Sequence, residues 1–301
     1  MLIKKSGKSW SGFSSRCSGY GKKDSLMKLN LIFISMLICL AAEAQRISGR
    51  VINEATGEPL VYASIGVVGT GFGTTTDENG FFSIIAKDLP PDAKIRFSMI
   101  GFTAQTFSFA GLQENENLVI KLKEEVRYLE NVSIASTKFE TKEIGCKATS
   151  KKIVTGWSNV GRGGERGIKI KIKNKPVLLK SFHVHIARNA FDSVLFRLHI
   201  RNIRNNVPAE ELLKDNIIFT VSKKSGWVVL DLTGYNLQYD EDFAVTLEWV
   251  KSWGICANIK EGCLYISMDI FGGVLFVKHA GEATWIVENK YRPGMYLTVY
   301  Q

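Results

Sequence analysis

His183-x-His185 sets two imidazoles on one face of an extended segment, and His199 lies in the next apolar run, so these residues have the makings of a divalent-metal site. The alternation that groups them also brings Arg197 and Arg201 alongside, and cations repel a metal ion. Such a site also wants a Glu a few residues on, where Ala187-Arg188-Asn189-Ala190 stands. The face is therefore read as a solvated sheet surface. His279-Ala280-Gly281-Glu282 has the H-x-x-E spacing of zinc peptidases, but zinc needs three protein ligands and no histidine follows Glu282. Asp240-Glu241-Asp242 offers hard oxygens, which makes Asp240 and Asp242 candidate calcium ligands, although polar turns carry such clusters anyway. No residue is assigned a catalytic role, and no cofactor beyond that calcium is expected.

Trp253, Tyr235 and Tyr239 fall in expected loops, where an exposed flat ring suits a sugar, so they are the candidate ligand-binding residues. Trp227, Trp249 and Trp285 lie within apolar runs and are expected in the core. Cys256 and Cys263 stand seven apart, a spacing that suits the two ends of a hairpin loop. A disulfide there would contribute roughly 2.5 kcal/mol through loop closure, the alternative being two buried thiols. Cys146 has no evident partner.

Strands must position all of these groups. Ile168, Ile170 and Ile172 alternate with lysines, Phe182, Val184 and Ile186 with the histidines, and Val194, Phe196, Leu198 and Ile200 with polar residues. Further apolar segments follow at 217–221, 227–232, 243–249, 264–270, 274–277, 284–287 and 295–300, and one helical turn is expected at Pro208 to Lys214. Nine or ten strands over 167–301 predict a β-sandwich of jelly-roll type. Ahead of it, residues 135–166 lose periodicity and gain Lys, Ser, Thr and Gly, which reads as a linker. Its Gly161-to-Gly167 run lacks the flanking strand, helix and Lys-Ser/Thr of a phosphate loop.

Residues 45–134 carry six or seven short strands divided by Glu54-to-Pro59 and Asp77-Glu78-Asn79-Gly80 turns, the pattern of a small antiparallel sandwich. Gly49-x-Val51, Thr56-Gly57-Glu58-Pro59-Leu60-x-x-Ala63-Ser64-Ile65, Gly73-Thr74-Thr75-Thr76-Asp77-x-x-Gly80-x-Phe82 and Phe97-Ser98-Met99-Ile100-Gly101-Phe102 occur in order. Together they resemble the carboxypeptidase-like regulatory domain. That resemblance implies a transthyretin-like Greek-key sandwich found in exported Gram-negative proteins and at the amino end of TonB-dependent receptors. It implies no nucleophile, base or metal ligand. Only 167 residues follow Ile134, too few for a plug and a membrane barrel, so a transporter is not expected. Phe191-to-Arg197 with Ser225-to-Leu232 resembles a segment of an unassigned jelly-roll domain in exported bacterial proteins.

Compartment is written at the amino end. Leu29 to Ala42 is a short apolar run after Lys28, closed by Ala42-Glu43-Ala44, and reads as a secretory signal over 27–44. A lipid anchor on Cys39 would want a small residue where Ile38 stands. Residues 1–26 read as a doubtful extension ahead of a natural start at Met27. The formal charge of +10 divides into +5 on 1–26 and +5 on 45–301, where both signs interleave, so nucleic acid is not an expected partner. No later run is long enough for a transmembrane helix.

The sequence thus predicts an all-β, exported, non-catalytic envelope protein, located in the periplasm, at the outer membrane or on the cell surface, that binds a glycan or an envelope protein. The competing expectation is a glycan hydrolase using paired carboxylates of the second domain.

Overall fold

The computed structural model describes residues 46–85, 89–113, 118–125, 140–157, 163–173, 175–256 and 262–301. The signal sequence, the extension before it and Cys39 lie outside these residues. Arg46–Gln301 forms one compact unit.

The first sandwich contains β1 (Arg46–Asn53), β2 (Ser64–Val67), β3 (Gly73–Thr75), β4 (Phe81–Ile85), β5 (Lys94–Ser98), β6 (Phe102–Thr103), β7 (Gln105–Ser108), a one-turn helix (Phe109–Gln113) and β8 (Leu118–Glu124). Two four-stranded sheets, in the orders β4-β1-β8-β6 and β3-β2-β5-β7, enclose Val51, Ile65, Phe82, Phe97, Ile120 and Leu122. Alternation selects those residues: in β4 Phe82 and Ile84 point inward while Phe81, Ser83 and Ile85 point out. The Asp77–Gly80 turn forms as its residues demand. The Asp77 carboxylate accepts from the Asn79 and Phe81 amides, and Gly80 takes φ +77°, where a Cβ would lie 2.7 Å from the Val51 carbonyl oxygen.

The second sandwich contains β9 (Thr141–Gly145), β10 (Val154–Trp157), β11 (Glu165–Ile170), β12 (Val177–Asn189), β13 (Ser193–Arg204), β14 (Val207–Glu211), β15 (Ile218–Val221), β16 (Gly226–Asp231), β17 (Gln238–Tyr239), β18 (Phe243–Trp253), β19 (Leu264–Asp269), β20 (Leu275–Lys278), β21 (Ile286–Glu288), β22 (Arg292–Pro293) and β23 (Met295–Tyr300). An outer sheet runs β10-β19-β12-β23-β9, with β16 and β17 also on β12 and β22 on β19. An inner sheet runs β14-β13-β18-β11-β20-β21, with β15 also on β13. The chain changes sheet at most connections, as a jelly roll does. Phe182, Val184, Phe196, Leu198, Val245 and Leu247 fill the space between the sheets.

The structure departs from two expectations and places a third, the disulfide, differently. The stretch read as a linker supplies β9, paired with β23, and β10, paired with β19. Both end their path in the outer sheet, and an edge strand carries polar residues, so its period is faint. Residues 135–139 and 158–162 of that stretch lie outside the described residues. The helical turn expected at Pro208–Lys214 is largely β14, joined to β13 through Asn205 and Asn206, whose φ of 52° and 64° make a turn suited to a two-residue hairpin. Finally, Cys256 and Cys263 are bonded, with Cα atoms 5.8 Å apart, but they do not close a hairpin. They follow β18 of the inner sheet and precede β19 of the outer sheet, so the bond staples a crossing between sheets.

The two sandwiches dock through the outward face of the inner sheet. Tyr62 of the first packs on Leu195 and Val250 of the second. The Gly69 amide donates to the Glu282 carbonyl at 3.0 Å. At Gly66 a Cβ would come within 2.7 Å of Glu282 Cγ and 2.9 Å of its backbone nitrogen, so the approach needs glycine there.

Candidate functional site

β13 sends Phe196, Leu198 and Ile200 into the core and Arg197, His199 and Arg201 to its other side. That side is no solvated surface, contrary to the sequence reading, because the first sandwich covers it. Arg197 is 1% exposed, His199 6% and Arg201 8%. A single-strand pattern reports which residues share a face and is blind to what lies on that face.

Strand register then assembles a charged row. Arg197 stands opposite Glu248, Glu248 opposite Glu165, and Glu165 opposite Lys278, across β13, β18, β11 and β20. Two carboxylates facing each other would repel. Cations on the neighbouring positions hold them: Arg201 clasps both oxygens of Glu165, and His199 Nε2 meets Glu248 Oε2 at 2.9 Å. Lys278 also pairs with Glu165, and Thr246 donates to it. Arg197 donates to Glu248 Oε2 at 2.7 Å, to Asn216 Oδ1 at 2.7 Å, to Ser64 Oγ at 3.1 Å and to the Tyr62 carbonyl. Its guanidinium thus belongs to both sandwiches.

The protonation states follow. Burial, the largest influence, pushes the Glu248 carboxyl up, yet the Arg197 charge and His199 overcome it and bring Glu248 down to about 2. Glu165 and Glu211 are likewise held below the usual carboxylate range against their burial, by Arg201 with Lys278 and by His199 with Arg201. Burial and Arg201 push His199 down, but Glu165 and Glu211 outweigh them, so its affinity for the proton is raised. Glu211 lies 2.6 Å from Nδ1 and Glu248 2.9 Å from Nε2, while the Arg201 guanidinium also stands 2.8 Å from Nδ1, so two carboxylates and a cation compete for the ring and the carboxylates favour its protonated form.

Beside this wall opens a cleft of about 580 Å³ between the sandwiches. Arg201, Glu211, Lys278 and Trp285 form one side, and the Ser98-to-Ala104 turn of the first sandwich forms the other. Lys278 Nζ lies 4.8 Å and the Arg201 guanidinium 5.6 Å from the Trp285 ring centre. Trp285, expected in the core, is therefore half-buried at the cleft, since β21 is the last strand of the inner sheet. Glu282 also lines the cleft, 3.7 Å from Arg96, and burial raises its carboxyl above the usual range.

The candidates from sequence are scattered. Trp253 ends β18 as a partly exposed ring with Lys251 Nζ 5.0 Å away. Tyr239 packs on Phe243 at the opposite end of that strand, ring centres 4.7 Å apart, and burial raises its phenol. Ten residues of strand, roughly 33 Å, separate these two rings. Tyr235 lies exposed in a 3-10 turn before β17, so the three rings build no common platform with Trp253. Asp242 accepts from the Ile172 amide and pairs with Lys169 at 3.0 Å, and Asp240 precedes it in the same turn. His183 and His185 sit on the outer sheet, across the core from His199; His183 stacks on Tyr296 at 4.1 Å and His185 Nδ1 meets Ser267 Oγ at 2.8 Å. His279 is exposed while Glu282 lines the cleft. Among the described residues no three His, Cys, Asp or Glu side chains converge to hold a metal. Cys146 is a buried free thiol, and burial raises its pKa.

Sequence reasoning missed Glu165, Glu211, Glu248 and Lys278. Glu248 was findable, sitting in the apolar run 243–249 where a carboxylate demands a buried partner.

Residues 47–134 match the family model of the CarboxypepD_reg-like domain. No curated protein matches the chain. Among solved structures, the crystal structure of BcpA, the major pilin subunit of Bacillus cereus, aligns over 82% of this chain and 68% of that one, at 9% identity and a TM-score of 0.17. Among the described residues no helix is long and apolar enough to cross a membrane.

Proposed function

We propose that this chain, whose first sandwich is a CarboxypepD_reg-like domain, is an exported, non-catalytic binding protein of the bacterial envelope, and that its ligand is a neutral carbohydrate held in the cleft between the sandwiches. The observation that carries this reading is the wall of paired charges beside Trp285. Each carboxylate already has its cation, and Arg197, His199, Arg201 and Lys278 set against Glu165, Glu211 and Glu248 leave the wall within one positive charge of neutral, a weak field for an ionic ligand. It does offer acceptors and donors side by side, which suits adjacent sugar hydroxyls, and an indole to stack against the ring. Export follows from the signal-like run at 27–44.

The hydrolase reading needs one protonated and one ionised carboxyl flanking the scissile bond. Glu165, Glu211 and Glu248 are all driven towards the ionised form, which disfavours it. Glu282, with its raised carboxyl, is the acid that reading would use.

Titration of residues 45–301 with neutral oligosaccharides tests the proposal. Binding is expected, and Trp285→Ala should weaken it about tenfold without moving the melting temperature. Unchanged affinity in that variant removes the cleft from the reading. Oligosaccharide cleavage that disappears in Glu282→Gln replaces binding by hydrolysis.

A further inference from the structure

The first sandwich has a second, unrelated surface. β4, β1 and β8 lie side by side, and their outward positions alternate with the core residues named above. Arg50 stands opposite Phe81 on one side and Val119 on the other, Arg46 stands opposite Ile85, and Ile52 opposite Lys121, with Lys123 next along β8. Phe81, Ile85 and Val119 are 54%, 55% and 49% exposed. No carboxylate occupies an outward position of these strands between Arg46 and Ile52, Phe81 and Ile85, or Val119 and Lys123, and Glu54 follows at the end of β1, its amide on the Leu122 carbonyl next to Lys123. Some surface cations elsewhere do have acid partners, as Lys142 has Glu140, Lys169 has Asp242 and Arg204 has Glu210.

The geometry points to this face as a docking surface for an anionic lipid layer. Arg46, Arg50, Lys121 and Lys123 are placed to meet headgroup phosphates, and the apolar side chains between them enter the boundary below. A sheet face sets its outward cations side by side on three strands, where a charged bilayer surface meets all of them and an acidic peptide strand meets one row. Large apolar side chains standing between cations have no use for a purely ionic partner, whereas interfacial binding draws on both charge and buried apolar area. Arg50 shows the two chemistries in contact, its guanidinium lying 5.3 Å from the Phe81 ring centre. The inference does not depend on the cleft reading.

Residues 45–301, the compact unit without the amino-terminal apolar run, serve for the test, in sedimentation with phosphatidylcholine vesicles that do or do not contain phosphatidylglycerol. Binding to the anionic vesicles alone is expected, falling steeply with added salt. Each neutralised lysine should cost about fivefold, so Lys121→Gln with Lys123→Gln should weaken it by more than tenfold. Phe81→Ser should weaken it while leaving the salt dependence unchanged. All these positions are exposed, so the melting temperature reports that the variants fold. Equal binding to both vesicle types, or full binding by the lysine variant, overturns the inference. So does retention on polyglutamate without vesicle binding, which would mark the face as a site for acidic protein.

Discussion

Arg197 and Glu248 stand directly opposite in the β13–β18 ladder, 2.7 Å apart from Nη1 to Oε2, and the same guanidinium reaches the Tyr62 carbonyl and the Ser64 hydroxyl of the other sandwich. An ion pair internal to one domain is thereby also the fastening of the second. Its charges are buried, so its worth lies in completeness, because a charge left alone in such a place is far costlier than the pair is favourable.

Removing one member should show this. Arg197→Ala strands Glu248 beside His199 and takes the donors from Ser64 and Tyr62, and is expected to destabilise the fold by roughly 3 to 5 kcal/mol. Replacing both, Arg197→Met with Glu248→Leu, should cost less than the arginine change alone. Denaturant unfolding of the three proteins checks the order, and a double variant at least as damaged as the single one would deny the coupling.

His199 gives a pH dependence whose sign is set by its partners. Its proton affinity is raised in the fold, so its contribution is fully present below the unfolded value of about 6.5 and is lost as pH rises through the folded value. Glu248 acts in the opposite sense: held at about 2, it contributes above its ordinary value of 4.5 and loses that contribution as pH falls through about 2. Stability should therefore decline on both sides. In His199→Gln the alkaline decline should flatten while the acid one persists, as read from unfolding midpoints across pH.

Gly66 tests the docking itself. An added methyl group meets Glu282 at its backbone nitrogen as well as its side chain, and backbone cannot swing aside. Gly66→Ala should destabilise by about 1 to 3 kcal/mol, the usual penalty of overpacking. Trp285, close to that contact in the chain and lining the cleft, should report the change in its fluorescence. An unaltered spectrum together with full stability would mean that the sandwiches tolerate separation at this point.

Cys256 and Cys263 close a short loop, so reducing their bond should cost roughly 2.5 kcal/mol. Cys146, buried and with a raised pKa, should stay unlabelled by thiol reagents until the chain unfolds. Peptide mapping after labelling with and without reductant separates the three. Rapid labelling of Cys146 in the native protein would contradict its burial.

What the amino-acid sequence determined by itself is local. Alternation in 81–85, 95–100, 118–122, 182–186 and 194–200 marks strands and their inward residues, because the side-chain period of a strand is fixed by backbone geometry. Asp77 and Gly80 mark a turn, because a short carboxylate and a missing Cβ act within a few residues. The motifs between Gly49 and Phe102 identify the first domain for the same reason, being turns and inward residues of one small sandwich. Edge strands such as β9 escaped notice, since an edge needs no apolar face.

The candidate site was decided by tertiary structure alone. Arg197, His199 and Arg201 were legible as neighbours on one face, but their meaning depended on Glu165, Glu248 and Lys278, which reach them only through the pairing of β11, β18 and β20. Whether that face meets water or a second domain depends in turn on how two sandwiches dock, a contact between residues as distant in sequence as Ser64 and Glu248. Strand period carries no information at such separations. The same three residues on an uncovered sheet would be ordinary solvated charges, and burial beneath the first sandwich makes them a paired wall along a cleft.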